Sequence, residues 1–121
     1  MSPFPITTKR VYAPPATSDG FRLLVMRRWP RGIPKAAVDA WEKDLGPSPD
    51  LLQQWRQGQL SWEVYTPAYL EQMAQRPDLL EWARGLARQG ALTLLCSCKD
   101  AEHCHRTLLQ GVLEEDPSLR P

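Results

Sequence analysis

Ala91-Leu-Thr-Leu-Leu-Cys96 is a short, unbroken apolar run directly behind Gly90. A run this short and without polar alternation suits a strand covered on both faces, the place of a central strand in a parallel sheet. Phe21 to Met26 is a second such run, interrupted only by Arg22 and closed by Arg27-Arg28-Trp29-Pro30-Arg31-Gly32. Ile6 to Tyr12 reads as a third strand through Ile6, Thr8 and Val11, and Pro14-Pro15 ends it. Between the runs at Phe21 to Met26 and Ala91 to Cys96 the period changes to that of helices. Pro34 opens a predicted helix carrying Ala37, Val38, Trp41 and Leu45, with Gly46 as its stop. Ser48-Pro49 opens the next, with Leu51, Leu52 and Trp55 ahead of Gly58. Thr66-Pro67 repeats the signal before Leu70, Met73 and Ala74, and Pro77-Asp78 repeats it before Leu79, Trp82, Ala83 and Leu86. A last helix is predicted from near His103, with Leu108, Leu109, Val112 and Leu113 inward, until Pro117. The order β-β-α(several)-β-α predicts an α/β fold: one domain over residues 1–121, with a small mixed or parallel sheet of about three to four strands flanked by several short helices. Trp41, Trp55 and Trp82 fall on helical apolar stripes and are expected as core anchors. Trp62, Tyr65 and Tyr69 are expected to pack in the core or beneath a pocket.

Charge and cysteine usage narrow the function classes. With 15 basic against 14 acidic residues the net charge is +1, so the chain is not a globally basic nucleic-acid arm. No apolar run approaches the roughly 18 to 20 residues a membrane span needs. The opening Met1-Ser-Pro-Phe-Pro lacks the basic, apolar and cleavage regions of a signal peptide. Three cysteines, an odd number in a chain without an export signal, argue against a disulfide framework and for a reducing cytoplasm. A cytoplasmic location away from membranes is therefore expected.

Ligands of open α/β sheets bind beyond the carboxyl ends of the strands. Two such ends carry chemistry. One offers Arg27, Arg28, Trp29 and Arg31; the other, Cys96 to Arg106, offers Lys99, Asp100, His103, Cys104, His105 and Arg106. If the two strands are parallel neighbours, guanidinium groups, an indole face and a helix N-terminus meet and form a receptor for phosphate or carboxylate. The expected ligand is a small anion or nucleotide, with Arg31 and Arg106 as clamps and no cofactor. The same basic turn, with Trp29 interleaved, would suit a nucleic-acid or protein interaction module. Its bland counterpart is a solvated turn whose arginines pair with acidic neighbours.

The sulfur groups leave further alternatives open. Cys104 in the first turn of the last helix would feel the helix dipole, and with His105 and Asp100 it forms a candidate catalytic set. Against this, adjacent residues on a helix point in different directions, and neither Cys-x-x-Cys nor a Cys-x5-Arg loop is present. Cys96, Cys98 and Cys104 with His103 or His105 would make a zinc site, although the usual paired spacings are absent, and Cys98 with Cys104 would make a redox pair at a loop closure. Cys96 as a small buried hydrophobe is the plain alternative.

Trp29-Pro30-Arg31-Gly32 after an apolar strand resembles the hallmark of domain of unknown function 488 (DUF488), the YeaO-like proteins. The likeness continues through Trp41, Leu45-Gly46-Pro47-Ser48, Trp62, Tyr69, Leu94-Leu95 and Lys99-Asp100-Ala-Glu102-His103, from about Lys9 to Leu113. Cys96 with Cys104-His105-Arg106 resembles a related branch of the same family. Met26 stands where many members have an aspartate, and Cys98 where the cysteine-bearing branch has a glutamate. The resemblance implies an α/β domain with its site at these strand ends; the family itself has no settled reaction.

Overall fold

A computed structural model describes residues 6–115. Four strands, β1 (Ile6–Arg10), β2 (Phe21–Leu24), β3 (Ala40–Trp41) and β4 (Leu92–Cys96), form one sheet in the order β1-β4-β2-β3. Every pairing is parallel, with Leu94 opposite both Thr8 and Leu23. All carboxyl ends therefore open on one edge. Four helices, α1 (Pro49–Arg56), α2 (Trp62–Ala74), α3 (Pro77–Gln89) and α4 (His105–Leu113), complete the α/β fold. Pro117, expected to end the last helix, lies outside the described residues.

The uninterrupted apolar runs have a direct cause: β2 and β4 are covered on both faces. On one face Leu23, Val25, Leu92 and Leu94 pack with Tyr65, Tyr69, Met73 and Leu109 from the helices. On the other, Leu24 and Leu95 join Val11 beneath Met26, Trp29, Ile33 and Val38. Arg22, the polar break in the second run, is buried and ion-pairs with Asp19, whose carboxylate also holds Lys9 at 3.1 Å. Gly20 lets these two strands start side by side. Its φ is +63°, and a Cβ there would sit 2.2 Å from the Ala91 carbonyl oxygen.

The helix predicted from Pro34 to Gly46 is not formed. Two 3-10 turns, Lys35–Ala37 and Lys43–Leu45, flank the short strand β3 instead. The edge of β2 captures this segment. Asp39 donates its backbone N–H to the Arg22 carbonyl and accepts the Arg22 N–H on its carboxylate, both at 2.8 Å, and Glu42 N–H reaches the Leu24 carbonyl at 2.9 Å. Trp41 is consequently no core anchor: it is 43% exposed, and its indole N–H is tied to the Met26 carbonyl. Trp82 is likewise 42% exposed, on the outer side of α3.

Helix α2 begins before Thr66-Pro67, at a Ser61 cap that accepts the Val64 N–H, and Pro67 lies inside it. An internal proline costs about 3 kcal/mol. The longer helix places Tyr65, Tyr69 and Met73 at full burial on one stripe, each contributing roughly 1.5–3 kcal/mol, and that sum outweighs the lost hydrogen bond. No helix among the described residues is long and apolar enough to cross a membrane.

Candidate functional site

Because β2 and β4 are parallel neighbours, Val25-Met26-Arg27 and Cys96-Ser97-Cys98 leave the sheet side by side. Cys96 is the last residue of β4 and is buried. The chain then turns back through a 3-10 turn, Ala101–His103, capped by the Asp100 carboxylate on the Glu102 N–H at 3.0 Å. Cys104 is the residue ahead of α4, with extended backbone at φ −135° and ψ 140°. Two residues adjacent on a helix would diverge, but this extended geometry brings Cys104 Sγ to 3.9 Å from His105 Nδ1. Cys96 and Cys98 have their sulfurs 3.5 Å apart.

One ligand atom from each of Cys96, Cys98, Cys104 and His105 falls within 4.8 Å of the others, a cluster that could hold a metal ion. Of the two histidines the sequence offers for such a site, the fourth member is thus His105 and not His103. His103 is exposed at the rim, where its Nδ1 meets the Asp100 carboxylate at 2.6 Å and its ring lies edge-on to Trp62. The hydrogen bond it donates to the Asp100 carboxylate raises its pKa.

The orientation of His105 is set by β2. Its Nε2–H donates to the Val25 carbonyl, which leaves the Nδ1 lone pair facing the sulfurs. Burial lowers its pKa, so the ring is neutral. Arg106, also buried, donates through Nη1 to the Cys98 carbonyl at 2.9 Å and approaches Cys104 Sγ at 3.7 Å, while its Nε lacks a partner. No carboxylate neutralises this guanidinium among the described residues. A buried cation needs compensating charge, and the sulfurs are placed to give it. Hydrogen bonds from the Cys104 and Cys98 thiols push Cys96 down to about 3, against the effect of burial. Cys104 moves far upward because it donates to Cys96 and Cys98 and is buried. Cys98 lies above its ordinary value, since donation to Cys96 and burial together exceed the lowering by Cys104. The three thiols titrate as one set, in which the lowered pKa falls on Cys96 and the raised ones on Cys98 and Cys104.

Above the cluster lies a cavity of about 260 Å³ walled by Tyr65, Trp55 and Leu52, with Arg27, Arg28 and Arg56 on its other side. Burial raises the phenol pKa values of Tyr65 and Tyr69, which stay neutral, and Tyr69 Oη donates to the Leu45 carbonyl at 2.8 Å. Arg27 is fixed: Nη1 meets Asp44 at 2.8 Å and Nε the Pro47 carbonyl at 3.0 Å. Gly46 lets the two backbones pass closely here, since a Cβ there would come within 2.9 Å of the Arg27 backbone nitrogen. Arg28 is exposed beside it. Trp29 and Arg31 do not line this cavity. Trp29 packs on the opposite face of the sheet with its indole N–H on the Ile33 carbonyl at 2.8 Å, and Arg31 is exposed with its carbonyl bonded by Tyr12 Oη. Lys99 is exposed on a shallow surface beside Trp55, Cys98 and Asp100. Arg56 and Trp55 had no motif to mark them, because only the packing of α1 against the strand ends brings them here.

Residues 6–117 match the family DUF488-N3a, described as the active DUF488-N3 subclade. The chain belongs to this family. Among DUF488 relatives, the uncharacterized protein YeaO of Escherichia coli K12 is 37% identical over 106 residues, covering 86% of this chain and 92% of its own. The uncharacterized proteins Rv3073c of Mycobacterium tuberculosis and Mb3100c of Mycobacterium bovis are each 28% identical over 110 residues, covering 89% of this chain and 92% of theirs. No solved structure matches the chain at a significant level.

Proposed function

We propose that this DUF488-N3a protein binds a soft divalent metal ion of the zinc class through Cys96, Cys98, Cys104 and His105. The observation that carries it is the convergence of three sulfurs and one imidazole nitrogen within 4.8 Å. Tetrahedral zinc has Zn–S bonds of about 2.3 Å and Zn–N bonds of about 2.0–2.1 Å, which places neighbouring donors roughly 3.4–3.8 Å apart. The 3.5 Å between the Cys96 and Cys98 sulfurs falls in that range, and the 3.9 Å from Cys104 Sγ to His105 Nδ1 is about 0.1 Å beyond it. Two further features favour it. A metal-bound histidine commonly donates its other N–H to a backbone carbonyl, the role Val25 plays for His105. Three thiolates around a dication leave one negative charge, and the adjacent Arg106 guanidinium balances it.

The deciding measurement is metal content together with thiol titre, on protein purified without added metal or chelator. Equimolar zinc, with thiols that react only after denaturation, is the expected result. Absence of stoichiometric metal together with freely reacting thiols would overturn the proposal. One fast thiol in metal-free protein would instead identify a nucleophile or sensor.

A further inference from the structure

The cations of this nearly neutral chain are gathered unevenly. Arg27, Arg28 and Arg56 border the cavity above the sulfur cluster, and the same three with Lys43 also border a separate open groove of about 670 Å³. No carboxylate lines either space. The three arginines are not equivalent. Arg27 is largely neutralised by Asp44 and held by the Pro47 carbonyl. Arg28 and Arg56 are exposed, and neither makes a hydrogen bond or ion pair within the described residues. Two uncompensated guanidinium groups thus border one small cavity, whose remaining lining joins Leu52, Trp55 and Tyr65 to the sulfur cluster and His103.

Charge counting selects the ligand. A monocarboxylate would leave one of the two charges unmatched, whereas a phosphomonoester carries about −1.5 to −2 at neutral pH and offers three acceptor oxygens. Planar guanidinium groups bind such oxygens in pairs. A volume of about 260 Å³ is at the small end for a ligand pocket, so the organic body attached to the phosphate is compact.

We propose that the cavity bordered by Arg28 and Arg56 binds a small phosphomonoester, with Arg27 as a fixed third donor and the Leu52–Trp55–Tyr65 wall against the organic group. The proposal deepens the metal-centre assignment by naming what occupies the space above the cluster, yet it stands on the arginines and is separable from the sulfurs by experiment.

The test is calorimetric titration of the protein as purified, its metal content known, with inorganic phosphate, a nucleoside monophosphate and acetate, for the natural chain and for the double variant R28Q/R56Q. Both residues are exposed and unpaired among the described residues, so the variant is expected to keep its melting temperature and metal content. Saturable phosphate and monophosphate binding that exceeds acetate and weakens about tenfold or more in R28Q/R56Q supports the site, a tenfold loss being the scale of one charge-assisted hydrogen bond. Equimolar metal without saturable phosphate or monophosphate binding overturns the ligand and leaves the metal centre standing. Phosphate binding by a protein that carries no metal keeps the oxyanion site and removes the metal centre. A single-stranded oligonucleotide that binds with steep salt dependence, while phosphate and monophosphate do not bind, overturns the small ligand in favour of nucleic acid.

Discussion

Two buried arginines in this fold are handled in opposite ways. Arg22 has a carboxylate: Asp19 accepts from it, from Lys9 and from the Ala16 N–H. Burial alone would raise the Asp19 pKa, but these donors take it below the usual 3.8. A lowered carboxylate stabilises the folded state fully above the unfolded value, and that contribution is lost as pH falls through the lower folded value. Asp19→Asn should therefore cost about 2–4 kcal/mol at neutral pH, since it leaves Arg22 buried without its counter-charge. The deficit should shrink below pH 3.8, as read from urea midpoints across that range. Arg106 has sulfurs in place of a carboxylate. Arg106→Met keeps the volume and removes the charge, so competition against a chromogenic chelator should show metal affinity reduced about 10–100-fold, the scale of a lost outer-shell partner. Unchanged affinity would mean that Arg106 plays no part in charge balance at the cluster.

At the scale of elements, what the sequence made legible was what is locally determined. Three strands, and helices α1 and α3, follow from apolar period, proline and glycine placement, and the Ser48 cap that accepts the Leu51 N–H at 3.2 Å. Strand β3 was not legible. Ala37, Val38, Trp41 and Leu45 have helical spacing, but the Arg22–Asp39 and Leu24–Glu42 hydrogen bonds that fix the segment are long-range. The site divides along the same line. Arg27, Arg28 and the cysteine–histidine run were readable as converging strand ends, whereas the choice of His105 over His103 depends on the extended backbone at Cys104. Trp29 was grouped with Arg27 by adjacency, while the turn after β2 carries it to the opposite face. Helix α2 shows tertiary packing overriding a local signal, and that is testable. Pro67 is exposed, and the carbonyl four residues before it belongs to Glu63. Pro67→Ala restores an N–H for that carbonyl at the expense of some chain stiffness in the unfolded state. A gain of about 1–2 kcal/mol is expected in urea unfolding; a loss would mean that the proline sets the helix geometry.

For the molecule as a whole, the cluster ties three elements at one edge of the sheet: the end of β4 through Cys96, the start of α4 through Cys104 and His105, and the exit of β2 through the Val25 carbonyl. The core does not depend on it. Leu23, Leu94, Tyr69, Met73, Leu109 and Leu113 are fully or almost fully buried by contacts with one another and with the rest of the sheet and helices. Removing the metal should therefore lower stability without unfolding the chain, unlike a small zinc finger whose fold exists only with its ion. At a free metal concentration 100 times the dissociation constant, mass action contributes about 2.7 kcal/mol. For a domain of this size that is a melting shift on the order of 10 °C. Dialysis against a strong chelator should give a lower melting temperature with far-ultraviolet circular dichroism essentially unchanged at 25 °C, and equimolar zinc should restore the original value. The ligands must lose protons to bind, so the shift should grow as pH rises from 6 to 8. A melting temperature indifferent to chelator and zinc across that range would remove the metal from the architecture. The edge would then be held by the thiol hydrogen bonds, the His105–Val25 hydrogen bond and Arg106.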